Sequence, residues 1–171
     1  MKYAVFLCLL ITVSSASLAQ KITTTEWKQF VPSDAIPRNI KCRNSNNNID
    51  LVQFNGRYYC AFRTAPTHFA SKKTFIYIIS SADFKTWKQE TEFFVKADMR
   101  EPRFAVFNNQ LHFYFFEGGT KMFKFEPKHI WTSILSDSGW SAKLKTNLDG
   151  FVDWRFRTHD NKLYLSAYYG V

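Results

Sequence analysis

Residues 50–63 read Asp50-Leu51-Val52-Gln53-Phe54-Asn55-Gly56-Arg57-Tyr58-Tyr59-Cys60-Ala61-Phe62-Arg63. Two runs rich in aromatic and aliphatic residues flank Asn55-Gly56, a dipeptide that favours the positive backbone angles of a two-residue hairpin turn. The same grammar returns twice. Asn108-Asn109-Gln110-Leu111-His112 and Asp160-Asn161-Lys162-Leu163-Tyr164 each place two turn-forming residues before a strand-like run. Gly56 to Asn109 is 53 residues, Asn109 to Asn161 is 52, and Trp87 to Trp140 is again 53. Two independent markers in one register define an internal repeat.

Each unit divides into four strand-like runs. The first predicts strands at 50–54, 57–63, 74–80 and 87–94. The second predicts them at 103–107, 110–116, 129–135 and 140–144. Four short antiparallel strands in about 50 residues is the pattern of a β-propeller blade, and it accounts for a joint recurrence of turn and Trp that a sandwich leaves unexplained. No stretch sustains a 3.6-residue period, so helix content is expected to be small. The composition agrees: aromatics make up 18% of the chain and hydrophobic residues 46%, which favours strands and excludes wholesale disorder. The tryptophans are expected to pack between blades.

The fold expected is all-β, a partial propeller of two blades (48–101 and 102–153) with a third begun at 154. An N-terminal extended segment, 20–47, carries a further strand around Trp27. Propellers close with about four to eight blades, so the expectation is an N-terminal portion of a longer protein, or less readily a protomer that closes a ring by association. Residues 1–19 read as a cleavable signal peptide: Lys2, the apolar run from Ala4 to Val13, and small residues at Ser17 and Ala19. That run is too short to span a bilayer. The expected location is secreted or periplasmic, with no membrane span. Cys42 and Cys60 are left, as one bridge or as two free thiols.

The stretch from Ile76 to Trp87 looks like the Asp-box turn of sialidase-like propellers, with Ser81, Asp83, Thr86 and Trp87 in place, no Gly, and a turn one residue shorter. Ser136-Asp137-Ser138-Gly139-Trp140 is a more degenerate copy. Asp50-Leu51 through Arg63 and then His68 resembles the first blade of secreted exo-alpha-sialidase-like proteins. Met99-Arg100-Glu101-Pro102-Arg103 resembles an Arg-Asp-Pro element opening the second, and Asp153-Trp154-Arg155 a Trp-Arg element opening the third. The resemblance covers roughly residues 48–170. It implies six blades, with the five-bladed fructan and arabinan hydrolases as the alternative. No Phe-Arg-Ile-Pro motif of true sialidases is present. That family also draws its catalytic Glu and Tyr from middle and late blades, so a complete active site is not expected within residues 20–171.

Asp50, Glu101 and Asp153 stand at or just before the first strand of successive units and are the candidate catalytic carboxylates, since a pair could serve as acid and as base or nucleophile in glycosidic cleavage. Arg63, His68, Arg100 and Arg155 are the candidate substrate-binding residues, with Arg103 beside them, because a guanidinium fork pairs bidentately with a sugar carboxylate. A repeated ion pair holding the units in register is the competing reading. His112, His129 and His159 show no metal-ligand spacing, no cofactor motif is present, and no metal or cofactor is expected. The net charge of +9 is open to two readings, attraction to an anionic ligand, glycan or surface, or nothing beyond solubility, since the lysines are scattered and not massed. Several arginines converging on one mouth would suit an acidic glycan, while export and the propeller period argue against nucleic acid; oligomeric state is left open. The functions expected are glycosidic hydrolysis or recognition of a terminal acidic sugar, with a non-catalytic lectin-like or protein-binding propeller as the alternative.

Overall fold

The computed structural model describes residue 24 and residues 26–170; the expected leader, 1–19, lies outside them. Eleven antiparallel strands form three sheets, and among the described residues there is no helix. The first sheet is a meander of β1 (Ser45–Phe54), β2 (Arg57–Ala65), β3 (Phe75–Ser81) and β4 (Lys88–Phe93). The second holds β5 (Met99–Phe107), β6 (Gln110–Glu117) and β7 (His129–Ser136), with β8 (Gly139–Trp140) and β9 (Leu144–Lys145) both paired to β7. The third is β10 (Phe151–His159) and β11 (Lys162–Tyr169).

The turn chemistry explains the opening of each sheet. Asn55 and Gly56, Asn108 and Asn109, and Asp160 and Asn161 all have positive φ, between 46° and 72°. Asn, Asp and Gly tolerate that region at least cost, and two such residues in succession match the twist of the flanking strands. The registers close tightly around them: Phe54 opposite Arg57, Phe107 opposite Gln110, and His159 opposite Lys162.

The sheets stack through alternating side chains. Tyr59, Ala61, Ile76, Ile78 and Phe93 of the first meet Met99, Phe104, Leu111, Phe113 and Phe115 of the second in one core. Trp140 closes it, 6.3 Å from Tyr59 and about equally far from Phe104 and Phe113. The opposite face of the second sheet meets the third through Phe116, Ile130 and Val152, and the rings of Tyr114 and Phe156 stack at 4.1 Å. The outer face of the first sheet (Cys60, Phe62, Tyr77, Ile79, Trp87) is covered by Phe30, Ile36 and Ile40 from the segment before β1.

Three expectations need correction. No strand forms around Trp27, which is 97% exposed; the preceding segment is irregular chain laid over a sheet face. The strand expected at 140–144 is broken into β8 and β9, because the Ser141 hydroxyl accepts the Ile134 N–H at 3.1 Å in place of a backbone carbonyl. Of the two tryptophans, Trp140 packs between sheets, whereas Trp87 packs against Phe30 at 5.1 Å under the N-terminal segment. The turn before Trp87 is ordered by Asp83, whose Oδ1 accepts from Lys85 N and Thr86 N at 2.8 Å and from the Ser81 hydroxyl at 2.9 Å. Those bonds hold its pKa down to about 2. The copy at 136–140 is ordered by Ser136 instead, through Ser138 Oγ and Gly139 O. Cys42 and Cys60 are free thiols, and burial, with some help from Asp50, pushes the Cys60 pKa up to about 12.

Phe113 is fully buried between the rings of Phe93, Phe104, Phe115 and Trp140. Phe113→Ala should therefore cost about 3–5 kcal/mol, read as a lower urea midpoint; a loss below about 1 kcal/mol would contradict the inter-sheet core.

Candidate functional site

The first strands of the three sheets, β1, β5 and β10, lie side by side without belonging to one ladder. Side chains reaching to backbone join them. Asp50 Oδ2 accepts the Phe104 N–H at 2.7 Å, and the Thr158 hydroxyl donates to Val106 O at 2.7 Å. Each of these strands breaks register near its start, between Asn47 and Ile49, between Arg100 and Arg103, and between Asp153 and Arg155. The residues in the breaks are Asn48, Glu101 with Pro102, and Trp154. Asn48, Glu101 and Trp154 are spaced 53 and 53 apart. A bulge re-aims the side chains around it, and Asn48 and Glu101 both adopt positive φ, 47° and 48°. For Glu101 that conformation costs about 1–2 kcal/mol.

The bulges are tied by a polar chain. Asn48 Nδ2 donates to Glu101 Oε1 at 2.6 Å, Arg103 Nη2 donates to Glu101 Oε2 at 2.5 Å, and Arg103 Nε donates to Trp154 O at 2.8 Å. Glu101 is thus fully engaged and links β1 to β5, while Arg103 links β5 to β10. Beside this chain lies a cavity of about 430 Å³ lined by Asp50, Arg103, Trp154, Arg155 and Arg157. It sets three guanidiniums against one carboxylate. Arg155 and Arg157 are exposed and form no ion pair among the described residues. Burial raises the Asp50 pKa against the pull of its bond from Phe104 and the nearby arginines.

A second cluster centres on Arg63 and Asp98, which are 0% and 2% exposed and paired at 2.7 Å. Every nitrogen of Arg63 is used: Nε on Met99 O at 3.1 Å, Nη1 on Asn47 Oδ1 at 3.2 Å, and Nη2 on Asp98 and on Phe69 O. Burial pulls the Arg63 pKa down, and the Asp98 carboxylate opposes that pull. Asp98 Oδ1 also accepts from the Thr74 hydroxyl at 2.9 Å, and Oδ2 accepts from Arg100 Nε at 2.5 Å. Arg100 Nη2 reaches His68 O at 2.7 Å. The Asn47 amide is oriented by Arg63, so Nδ2 is the atom 3.0 Å from His68 Nδ1. His68 Nδ1 therefore accepts, and the neutral ring carries its proton on Nε2.

The residues expected from sequence thus divide. Asp50 and Arg155 share the arginine-lined cavity, with Arg103. Arg63, His68 and Arg100 surround Asp98; Arg63, expected at a substrate, has no exposed surface and holds the loop after β2 instead. Glu101 lies in the bulge between the two groups. Asp153 is fully buried. The three carboxylates do not occupy equivalent positions, because Asp50 follows its bulge, Glu101 is in one, and Asp153 precedes one. Asn48, Asp98 and Arg157 were not anticipated. The 53-residue spacing to Glu101 and Trp154 is the signal that could have found Asn48; nothing local marks Asp98.

No group of three metal-ligating side chains occurs among the described residues, and no described helix is long and apolar enough to cross a membrane. Comparison with known proteins yields no matching family model, no matching curated protein and no matching solved structure.

Asp153 has neither carboxylate oxygen hydrogen-bonded among the described residues, and burial raises its pKa well above the usual carboxylate range. A carboxyl whose folded pKa exceeds the unfolded value, about 3.9, favours the fold below that value and loses this advantage as pH rises through the folded pKa. Asp153→Asn should accordingly raise the melting temperature at pH 7, with the gap closing as pH falls toward 4. A variant less stable than the parent at pH 7 would show that the ionised carboxylate has a partner.

Proposed function

We propose that the three sheets are successive blades of a secreted, sialidase-like propeller whose inner strands present an arginine-lined cavity to the terminal acidic sugar of a glycan. The observation that carries this reading is the cavity itself, where Arg155 and Arg157 form no ion pair among the described residues and Arg103 is anchored by Glu101 and the Trp154 carbonyl. Two exposed forks beside one fixed fork suit a carboxylate on a small polar ring. Support for the blades comes from the repeated order of connection, the adjacency of β1, β5 and β10, and bulges spaced at the repeat length. Recognition is favoured over cleavage, since Glu101 is occupied by Asn48 and Arg103. Asp153, although held toward its protonated form, is fully buried and does not line the cavity, so it is not placed to act as a general acid there.

Titration of the full chain with N-acetylneuraminic acid, glucuronic acid and glucose, followed by ligand-observed NMR, tests the reading. At least one acid should bind and glucose should not. Arg155→Ala and Arg157→Ala should each weaken binding about tenfold, a loss of roughly 1.4 kcal/mol. Equal binding of glucose, or two variants without effect, would overturn it. Turnover of a chromogenic glycoside of the bound acid, lost in Asp50→Asn, would establish hydrolysis instead of recognition alone.

A further inference from the structure

The end of the molecule that carries the bulges also carries an aromatic surface that the sheet cores do not use. Between the loop 66–74, after β2, and the loop 118–128, after β6, lies a cleft of about 390 Å³. Phe116 is among its lining residues and is nearly fully buried, while Phe69, Phe123 and Phe125 stand exposed, Phe123 at 87%. Phe69 and Phe123 meet across the cleft, edge to face, at 5.4 Å. The surface continues beyond it. Phe125 stacks on Tyr168 with centroids 6.4 Å apart, and Tyr168 lies 6.2 Å from Trp154. Trp154 lines the arginine cavity. All three rings are about half exposed, so one track of aromatic faces leads from the cleft to the cavity.

The polar groups of the cleft differ in kind from those of the cavity. Its charged lining residues are Asp98, Arg100, Lys124 and Glu126, two of each sign. Asp98 is shared between Arg63 and Arg100, and Lys124 is paired to Glu126 at 2.6 Å. With each of these lining charges engaged in an ion pair, what is left for a ligand is hydrogen bonding, from His68 Nε2–H and from Arg100 Nη1, which has no acceptor among the described residues. Flat apolar faces with a few fixed donors and no lining charge left without an ion-pair partner fit an uncharged sugar ring, whose C–H face packs on an aromatic while its hydroxyls reach the polar edge. The cleft is ring-sized and far below the surface that a protein partner would need to bury.

We infer that the cleft and the Phe125–Tyr168–Trp154 track form an extended subsite that holds the neutral sugars next to the terminal acid, so that the chain recognises an oligosaccharide rather than a single sugar. This rests on the reading of the arginine cavity given above. Three probes separate the two: sialic acid alone, lactose alone, and sialic acid joined to lactose, each titrated into the full chain and into Phe123→Ala. Phe123 is nearly all exposed, so its removal leaves the fold intact. The trisaccharide should bind about tenfold more tightly than sialic acid. Phe123→Ala should abolish that gain and the weaker binding of lactose, and leave sialic acid unchanged. If sialic acid fails to bind but lactose binds through Phe123, the acid reading falls and the cleft stands. A trisaccharide no tighter than the acid, or lactose binding indifferent to Phe123→Ala, would overturn the subsite.

Discussion

The buried pair of Arg63 and Asp98 is the contact on which the end of the molecule that carries the proposed site depends. Two charges with almost no exposed surface carry a desolvation penalty of several kcal/mol each, which attraction offsets only if every remaining donor and acceptor is satisfied. Here they are. Arg63 binds Asn47 of β1, Phe69 of the following loop and Met99 of β5. Asp98 takes Thr74 and Arg100 in addition. One guanidinium thereby fixes where the first sheet ends, where the second begins and how the loop between β2 and β3 folds back. A Lys at 63 would supply a point charge and three donors but no planar fork, and could not reach all of these acceptors at once.

From that hub the geometry propagates along the inner strands. Arg100, held by Asp98, immediately precedes the bulge at Glu101, whose carboxylate gathers Asn48 on one side and Arg103 on the other. Arg103 in turn holds Trp154 through its carbonyl. The strain of a left-handed glutamate is offset by these charge-assisted bonds. Strands from three sheets are thus set at fixed spacing, with arginines that form no ion pair among the described residues on one side and the aromatic track on the other. The proposed division of labour, acid recognition in the cavity and ring stacking along the track, follows from that separation of charge from apolar surface.

Much of the fold was legible because its signals are local. Asn55-Gly56, Asn108-Asn109 and Asp160-Asn161 each need positive φ at two consecutive residues, and few other residue types accept it. The recurrence of Trp87 and Trp140 at the repeat length foretold rings between sheets, which holds for Trp140 and not for Trp87, packed against Phe30 instead. The site was less legible, for a reason visible in the spacing. Asp50, Glu101 and Asp153 are 51 and 52 residues apart, whereas the bulges repeat at 53. In a strand an offset of a single residue reverses the face that a side chain occupies, so three acids that looked equivalent met three different surroundings. Arg63 read as an ordinary charge at a strand end, because its partner Asp98 is 35 residues away and no local pattern announces it. The segment around Trp27 has strand-like composition, yet it covers a sheet face instead of extending one.

A double-mutant cycle on Arg63 and Asp98 tests this account most directly. Arg63→Met and Asp98→Leu would be made singly and together, and each full chain unfolded in urea. Removing Asp98 alone strands the buried Arg63 and should cost about 3–5 kcal/mol. Removing Arg63 alone leaves Asp98 with Arg100 and Thr74 and should cost less. The double variant should recover much of the Asp98→Leu loss, giving a coupling of about 2 kcal/mol or more. If a single variant does not fold, the double variant should still be recovered soluble and folded. Costs that merely add, with no coupling between the two positions, would contradict the claim that this pair organises the end of the molecule where the site lies.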